Sequence, residues 1–371
     1  MTMQKTMRVR SADLSVDDPE LRRQLMAAVS RVFDHGMMLL GPEVDAFEQR
    51  FAEFCAMPYG VAVASGTSAV YLALKALGIG AGDEVITTPM SWIASLNAVH
   101  QCGASPVFVD VGDDLNMDAD LIEAAITPRS KAVLVVHYTG RLCDMPRIKA
   151  IARRHGLLVI EDASQAYGAR MDGRVAGGWG DAAGFSLNPM KVLHGYGEAG
   201  MVTLRREEAR DRVVSLRYLG TINKETCVEV ELNHKPDALQ AALLCVSMDW
   251  FEGWGLKRHA NALRYAQRLS GLVGCPVVPD RQDWRSVYFD FTVVAERRDA
   301  LLRHLQTRGV EAKIKHPLLM PDQPAYAHLP RPRVPRAHHL VHRIITLPVH
   351  EKLTEDQIDY VSDCIEEFYR G

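Results

Sequence analysis

Residues 157–200 read LLVIEDASQAYGARMDGRVAGGWGDAAGFSLNPMKVLHGYGEAG, and the reading of the rest of the chain follows from them. Leu157 to Ile160 form a short apolar run rich in β-branched residues, the pattern of a strand buried on both faces of a parallel sheet. Glu161 and Asp162 follow at its C-terminal end, where open α/β sheets place their ligands. A second apolar segment, Ala182 to Leu187, leads to Lys191, the only lysine between Lys149 and Lys224. Pro189 and a glycine-rich turn (Gly195, Gly197, Gly200) flank that lysine. An acid and an amine are thus presented at neighbouring strand ends.

An aromatic aldehyde cofactor such as pyridoxal phosphate uses such a pair. The amine forms an imine, and the carboxylate keeps the ring nitrogen protonated so that the ring accepts electrons. A free lysine titrates near about 10.4, so a neutral amine at pH 7 costs roughly 4 kcal/mol unless burial or imine formation supplies it. Alone, the pair leaves a plainer reading open, in which a strand-end Asp caps the next helix and a lysine sits in a surface loop.

The wording around the pair is more specific. IEDASQAYGA, then GD, then FSLNPMK, then GEAG resembles the DegT/DnrJ/EryC1/StrS sugar aminotransferases, whose pattern is close to EDAAQAHGA, GD, FSFHPTK and GEGG. The resemblance implies a fold-type I α/β architecture: a mainly parallel seven-stranded sheet between helices, with a smaller C-terminal α+β domain. It also implies that Lys191 carries the pyridoxal 5'-phosphate imine, Asp162 pairs with the pyridine nitrogen, Gln165 lies near the phenolic oxygen and Ser186 contacts the phosphate. Asn188 stands for the usual His, Leu187 for Phe and Ala199 for Gly, and none of these removes a group the chemistry needs. Relatives that act as dehydratases have histidine in place of this lysine.

Upstream, VAVASGTSAVYLALKALGIG joins an apolar run (Val61 to Ala64) through a small-residue turn to a helical pattern (Ala69 to Leu77). A strand, a glycine turn and a helix N-terminus together make an anion site, because the first N–H groups lack partners and the macrodipole favours negative charge. Read alone, Ser65 and Thr67 could be simple N-caps. The match to the family's SGT-A motif implies a phosphate site at Gly66, Thr67 and Ser68. Next come a strand at Glu84–Thr88, a helix at about 93–101, and strands at Pro106–Asp110 and Ala132–Val136. Strands and helices alternating from Val61 to Ser186 read as a mainly parallel sheet with right-handed crossovers. GxGxxG is absent from the first turn, which weakens a dinucleotide-binding reading. The resemblance places a ring-stacking aromatic at Trp92, whereas composition alone leaves open a space-filling tryptophan. The N-terminal residues 19–35 and the segment after Gly41-Pro42 read as amphipathic helices.

Downstream, ELNHKPDALQAAL is similar to the family's GYNYRMTELQAAI. There an asparagine reaches the phosphate of the partner subunit's cofactor, so Asn233 implies a homodimer with shared active sites. Otherwise Asn233 reads as a turn or cap residue. From about Met248 a long helix and then a small α+β unit follow: strand SVYFDFTVVA, helix ERRDALLRHLQTRG, strand VEAKIKHP. The expected domains are 1–245 and 246–371, with a hinge near residues 240–275. HLPRPRVPRAHH reads as an exposed loop. LPVHEKLTEDQI matches the family's C-terminal signature, with Thr354 capping a last helix. In the family the loop before Pro317 binds sugar, which marks Lys315 and His316 as substrate residues.

Bulk properties bound the rest. At 371 residues the chain exceeds one hydrophobic core. A net charge of -3 gives no electrostatic case for nucleic acid or an anionic membrane. The seven scattered cysteines, including Cys275, indicate neither a disulfide framework nor a zinc site, which points to the cytoplasm. Residues 1–18 hold no apolar targeting core, and no apolar stretch is long enough to span a bilayer. His338, His339, His342 and His350 lack a ligand spacing such as HExxH, so no metal is expected. The expected activity is ping-pong transfer of an amino group from glutamate or glutamine to a keto sugar, nucleotide-linked in the leading reading. A keto cyclitol acceptor, a dehydratase or lyase reaction on the same cofactor, and a non-catalytic regulatory relative remain as alternatives.

Overall fold

The computed structural model describes residues 7–274 and 284–370; Met1–Thr6 and Cys275 lie outside the described residues. Seven strands form one sheet: β1 (Tyr59–Val63), β2 (Glu84–Thr87), β3 (Ser105–Phe108), β4 (Ser130–Val136), β5 (Leu158–Asp162), β6 (Ala182–Ser186) and β7 (Gly200–Leu204). Their spatial order is β1-β7-β6-β5-β4-β2-β3. Only β7 runs against its neighbours, pairing antiparallel with both β1 and β6. Glu161 and Asp162 extend β5 rather than follow it, and Asp162 lies opposite Val136 and Gly184.

The helices are α1 (Pro19–His35), α2 (Pro42–Phe54), α3 (Gly66–Ala76), α4 (Ile93–Gln101), α5 (Met145–His155), α6 (Glu207–Arg217), α7 (Ala238–Arg268), α8 (Arg298–Thr307), α9 (Pro335–Val341) and α10 (Glu355–Arg370). Side chains alternate across a strand, so each sheet face builds its own core. Val133, Val135 and Val159 pack with α2, α5 and α7. Ala132, Leu134 and Ile160 pack on the other face with α3, α4 and α6. The apolar runs are near-continuous because both faces are covered.

Four departures from the sequence reading matter for the site. The long helix starts at Ala238, ten residues before Met248, and runs unbroken through the expected boundary at 245/246. Its first half packs on α1 and α2, and its last part meets α10. The strand expected over residues 286–295 shortens to β8 (Phe291–Val294), which pairs with β9 (Ile344–Leu347). Residues before it are diverted to the 138–140 turn, where Val287 N–H donates to Gly140 O (2.9 Å) and Asp290 N–H to Thr139 O (3.3 Å). The strand expected at 310–317 is reduced to isolated bridges, Val9 with Val310 and Lys313 with Thr346. Here His316 takes φ 50° and Pro317 has no N–H to give to a ladder. The basic, Pro-rich loop also ends in a helix, since the N–H groups of Arg336 and Ala337 at the start of α9 each donate to Asp110 at 2.8 Å.

Candidate active site

Strand alternation sends the two adjacent carboxylates of β5 to opposite faces. Glu161 is fully buried and structural. Its oxygens accept from the N–H groups of Gly177 (2.8 Å), Trp179 (2.9 Å) and Gly180 (2.6 Å), and His137 Nε2 lies 2.9 Å away. Burial favours its protonation, but the His137 and glycine contacts win and hold this carboxyl below the usual range. Asp162 faces a cavity of about 190 Å³. Its Oδ2 accepts from Ser95 Oγ at 2.6 Å, and its Oδ1 from the Ser164 N–H at 3.1 Å. Ser91 Oγ, 3.0 Å from Ser95 Oγ, extends the chain.

Lys191 reaches the same cavity from the loop after β6. An Asx turn shapes that approach: the Met190 N–H donates to Asn188 Oδ1 (3.0 Å) and the Lys191 N–H to Asn188 O (3.0 Å). The loop beyond is pinned by His194 stacked on Trp254 of α7 at 4.9 Å, and by the Tyr196 N–H on Gln240 Oε1 at 2.9 Å. Burial pulls the Lys191 ammonium down to about 8, against the nearby carboxylates of Asp162 and Asp290, which favour its charge.

The N-terminus of α3 closes one end. Ser65 is the N-cap, accepting from the Ser68 N–H at 3.1 Å. Gly66 is required by proximity: a Cβ there would sit 2.3 Å from Ser186 Cβ. Gly66, Thr67 and Ser186 therefore meet at the cavity wall beside the unpaired first amides of the helix. Ser68 does not line the cavity; its hydroxyl lies 3.0 Å from Ser65 Oγ and 2.9 Å from His234 Nδ1.

Trp92 and Gln165 complete the lining. Gln165 is fixed by the Thr139 N–H, which donates to its Oε1 at 2.8 Å. Trp92 is 60% exposed and tilts against the His316 ring, 5.5 Å away. His316 Nδ1 lies 3.1 Å from Tyr138 Oη, and burial pushes its imidazole down to about 4. Lys315 forms an ion pair with Asp290. Asn233 is exposed and does not line this chain's cavity, its Oδ1 accepting from the Lys235 N–H at 3.2 Å. Sequence reasoning missed Ser95, Thr139, Phe289 and Asp290. All but one carry no motif; Thr139 lies in the HYTG turn after β4, whose position at a strand end was the available signal.

Residues 19–366 match the DegT/DnrJ/EryC1/StrS aminotransferase family. The chain belongs to this family. It is 39% identical over 367 residues to the dTDP-3-amino-3,4,6-trideoxy-alpha-D-glucose transaminase of Streptomyces venezuelae, covering 98% of this chain and 97% of that one. A Geobacillus stearothermophilus relative named as a pleiotropic regulatory protein is 35% identical over 369 residues, covering 98% and 99%. Among solved structures, S. venezuelae DesV in complex with a ketimine intermediate superposes with a TM-score of 0.94 at 39% identity, covering 99% of this chain and 100% of that one.

The protein is therefore a pyridoxal-phosphate-dependent aminotransferase of fold type I. The residues present fit the cofactor: a buried amine with a depressed proton affinity, a carboxylate oriented by two donors, and a helix N-terminus brought close by Gly66 share one cavity. Among the described residues no cluster of His, Cys, Asp and Glu is placed to hold a metal ion, and no helix is long and apolar enough to cross a membrane.

Proposed function

We propose that this aminotransferase moves an amino group from glutamate or glutamine to a nucleotide-linked keto sugar, working as a homodimer. One observation carries the site assignment: Lys191, half-buried, faces the same cavity as the doubly anchored Asp162. Pyridoxal phosphate, when bound, supplies an electrophilic carbon and an electron-accepting ring that acidifies the substrate C–H. Lys191 Nζ, at the same cavity, would be the chain's own proton carrier for that substrate carbon. Asp162 would pair with the ring nitrogen and keep it protonated. The α3 amides with Gly66, Thr67 and Ser186 would hold the phosphate, while Trp92 and Gln165 would orient the ring. Donor and acceptor use one site in turn, so the order is ping-pong.

Support for a sugar nucleotide acceptor comes from the Streptomyces venezuelae relative, named for a dTDP-linked sugar. Trp92, exposed at the cavity wall with His316 beside it, is placed to meet such a substrate. The dimer is supported by the exposed Asn233 and by the apolar residues around it, Val228, Val230 (92% exposed) and Leu232. Six cysteines are free among the described residues, which suits the reducing cytoplasm.

The test is to incubate the purified protein with glutamate or glutamine and a panel of dTDP- and UDP-linked keto hexoses and keto cyclitols, measuring keto acid and amine product by mass spectrometry. We expect 2-oxo acid release with amination of a nucleotide-linked hexose. Amination of cyclitols alone would overturn the acceptor. Absence of keto acid with any donor would favour a regulatory role like that named for the Geobacillus relative.

A further inference from the structure

Lys191 is not the only lysine at this site. Lys315, from the loop before Pro317, approaches the Phe289 ring with its Nζ 4.5 Å from the centroid, the same distance at which Lys191 Nζ approaches that ring. Two cations on one small aromatic ring are a costly arrangement unless a negative charge balances them. The balance comes from Asp290, next to Phe289 in the chain, whose buried carboxylate forms the ion pair with Lys315. Asp290 is not free to drift. Its N–H donates to Thr139 O, and the Thr139 N–H donates to Gln165, so the carboxylate is tied through the backbone to the cavity wall.

The charged and titratable groups facing Lys191 come from four places. They are Asp162 on β5, Glu198 in its own loop, Asp290 ahead of β8, and Lys315 with His316 before Pro317. His316 protonates only near 4 and adds no charge in the working range. Asp162 is committed to Ser95 and Ser164. Glu198 belongs to the loop of Lys191 itself, whereas the Lys315–Asp290 pair is brought in by the C-terminal segments, and losing either partner changes the charge there by a full unit.

We propose that the Lys315–Asp290 ion pair, set against the Phe289 ring that Lys191 also approaches, is a positioning element that balances the charge beside the reactive amine. Lys315 thus acts through Asp290 on Lys191, and not as a ligand for an anionic group of the acceptor. The proposal rests on the cofactor and is independent of which sugar is aminated.

Three variants test it: Lys315→Met, Asp290→Asn and the double change. In the loaded full-length enzyme, the pH midpoint of the visible cofactor band reports the proton on Lys191 Nζ. After cofactor removal, the pH dependence of pyridoxal phosphate uptake by the full chain reports the free amine. Lys315→Met leaves the carboxylate alone beside Lys191, and both midpoints should rise by about one pH unit. Asp290→Asn leaves the cation alone, and both should fall by about as much. The double variant should return close to the unaltered protein, which a merely structural role would not produce. Shifts of the same sign in both single variants, or no shift, would overturn the proposal. So would a Lys315→Met protein whose midpoints are unchanged while its KM for the acceptor rises.

Discussion

Glu161 and Asp162 share a chemistry and a strand end, yet one is locked by three backbone amides and the other faces the cavity. Alternation along β5 decides which does which, and a one-residue slip of register would exchange them. The motif resemblance had already separated the two, whereas the apolar run alone did not. Ser95 was not legible, because it comes from α4, 67 residues before Asp162, and no short pattern announces a hydroxyl that meets a distant carboxylate. Its role is testable. Asp162→Asn should keep cofactor at least in part while turnover falls by roughly 10²–10⁴-fold. Ser95→Ala removes one hydrogen bond to a charged group, worth about 1.5–3 kcal/mol, and should lower turnover by a smaller factor with cofactor stoichiometry unchanged. Equal losses in stopped-flow half-reactions of the two variants would mean that Asp162 depends wholly on Ser95.

At the scale of elements, α3 and β6 approach so closely that only glycine fits between them at position 66. A Cβ there would meet Ser186 Cα at 2.7 Å as well as its Cβ, and backbone cannot step aside cheaply. Gly66→Ala should therefore cost about 1–3 kcal/mol of stability and weaken cofactor retention, read as a lower Tm and faster loss on dialysis. An unaltered Tm and retention would show that the contact is not tight. Most helices and sheet strands could be read from periodicity, because α/β crossovers carry long, regular patterns. The start of α7 could not: DALQAALLCVSM is nearly apolar throughout, so its period is weak until the charged half begins. The 310–317 segment looks like a strand locally, but the turn at His316 and the following proline limit it to single bridges.

In the whole molecule, the ends of β5 and β6, the loops that follow them and the N-terminal ends of α3 and α4 meet at one cavity. The sequence motifs outlined that cavity because they lie at strand ends. The 286–290 segment escaped them because its position depends on how the C-terminal part folds back onto the 138–140 turn. Exposed Asn233 and its apolar neighbours look outward, so the chain should sediment at twice its 41.3 kDa mass, and a species of single mass with full activity would contradict a shared site. The most direct measurement reduces the pyridoxal-phosphate-loaded enzyme with borohydride and maps the pyridoxyl group by peptide mass spectrometry. The expected result is one modified peptide with the tag on Lys191. A tag on Lys315, or a loaded enzyme that yields none, would contradict the assignment on which the proposed chemistry depends.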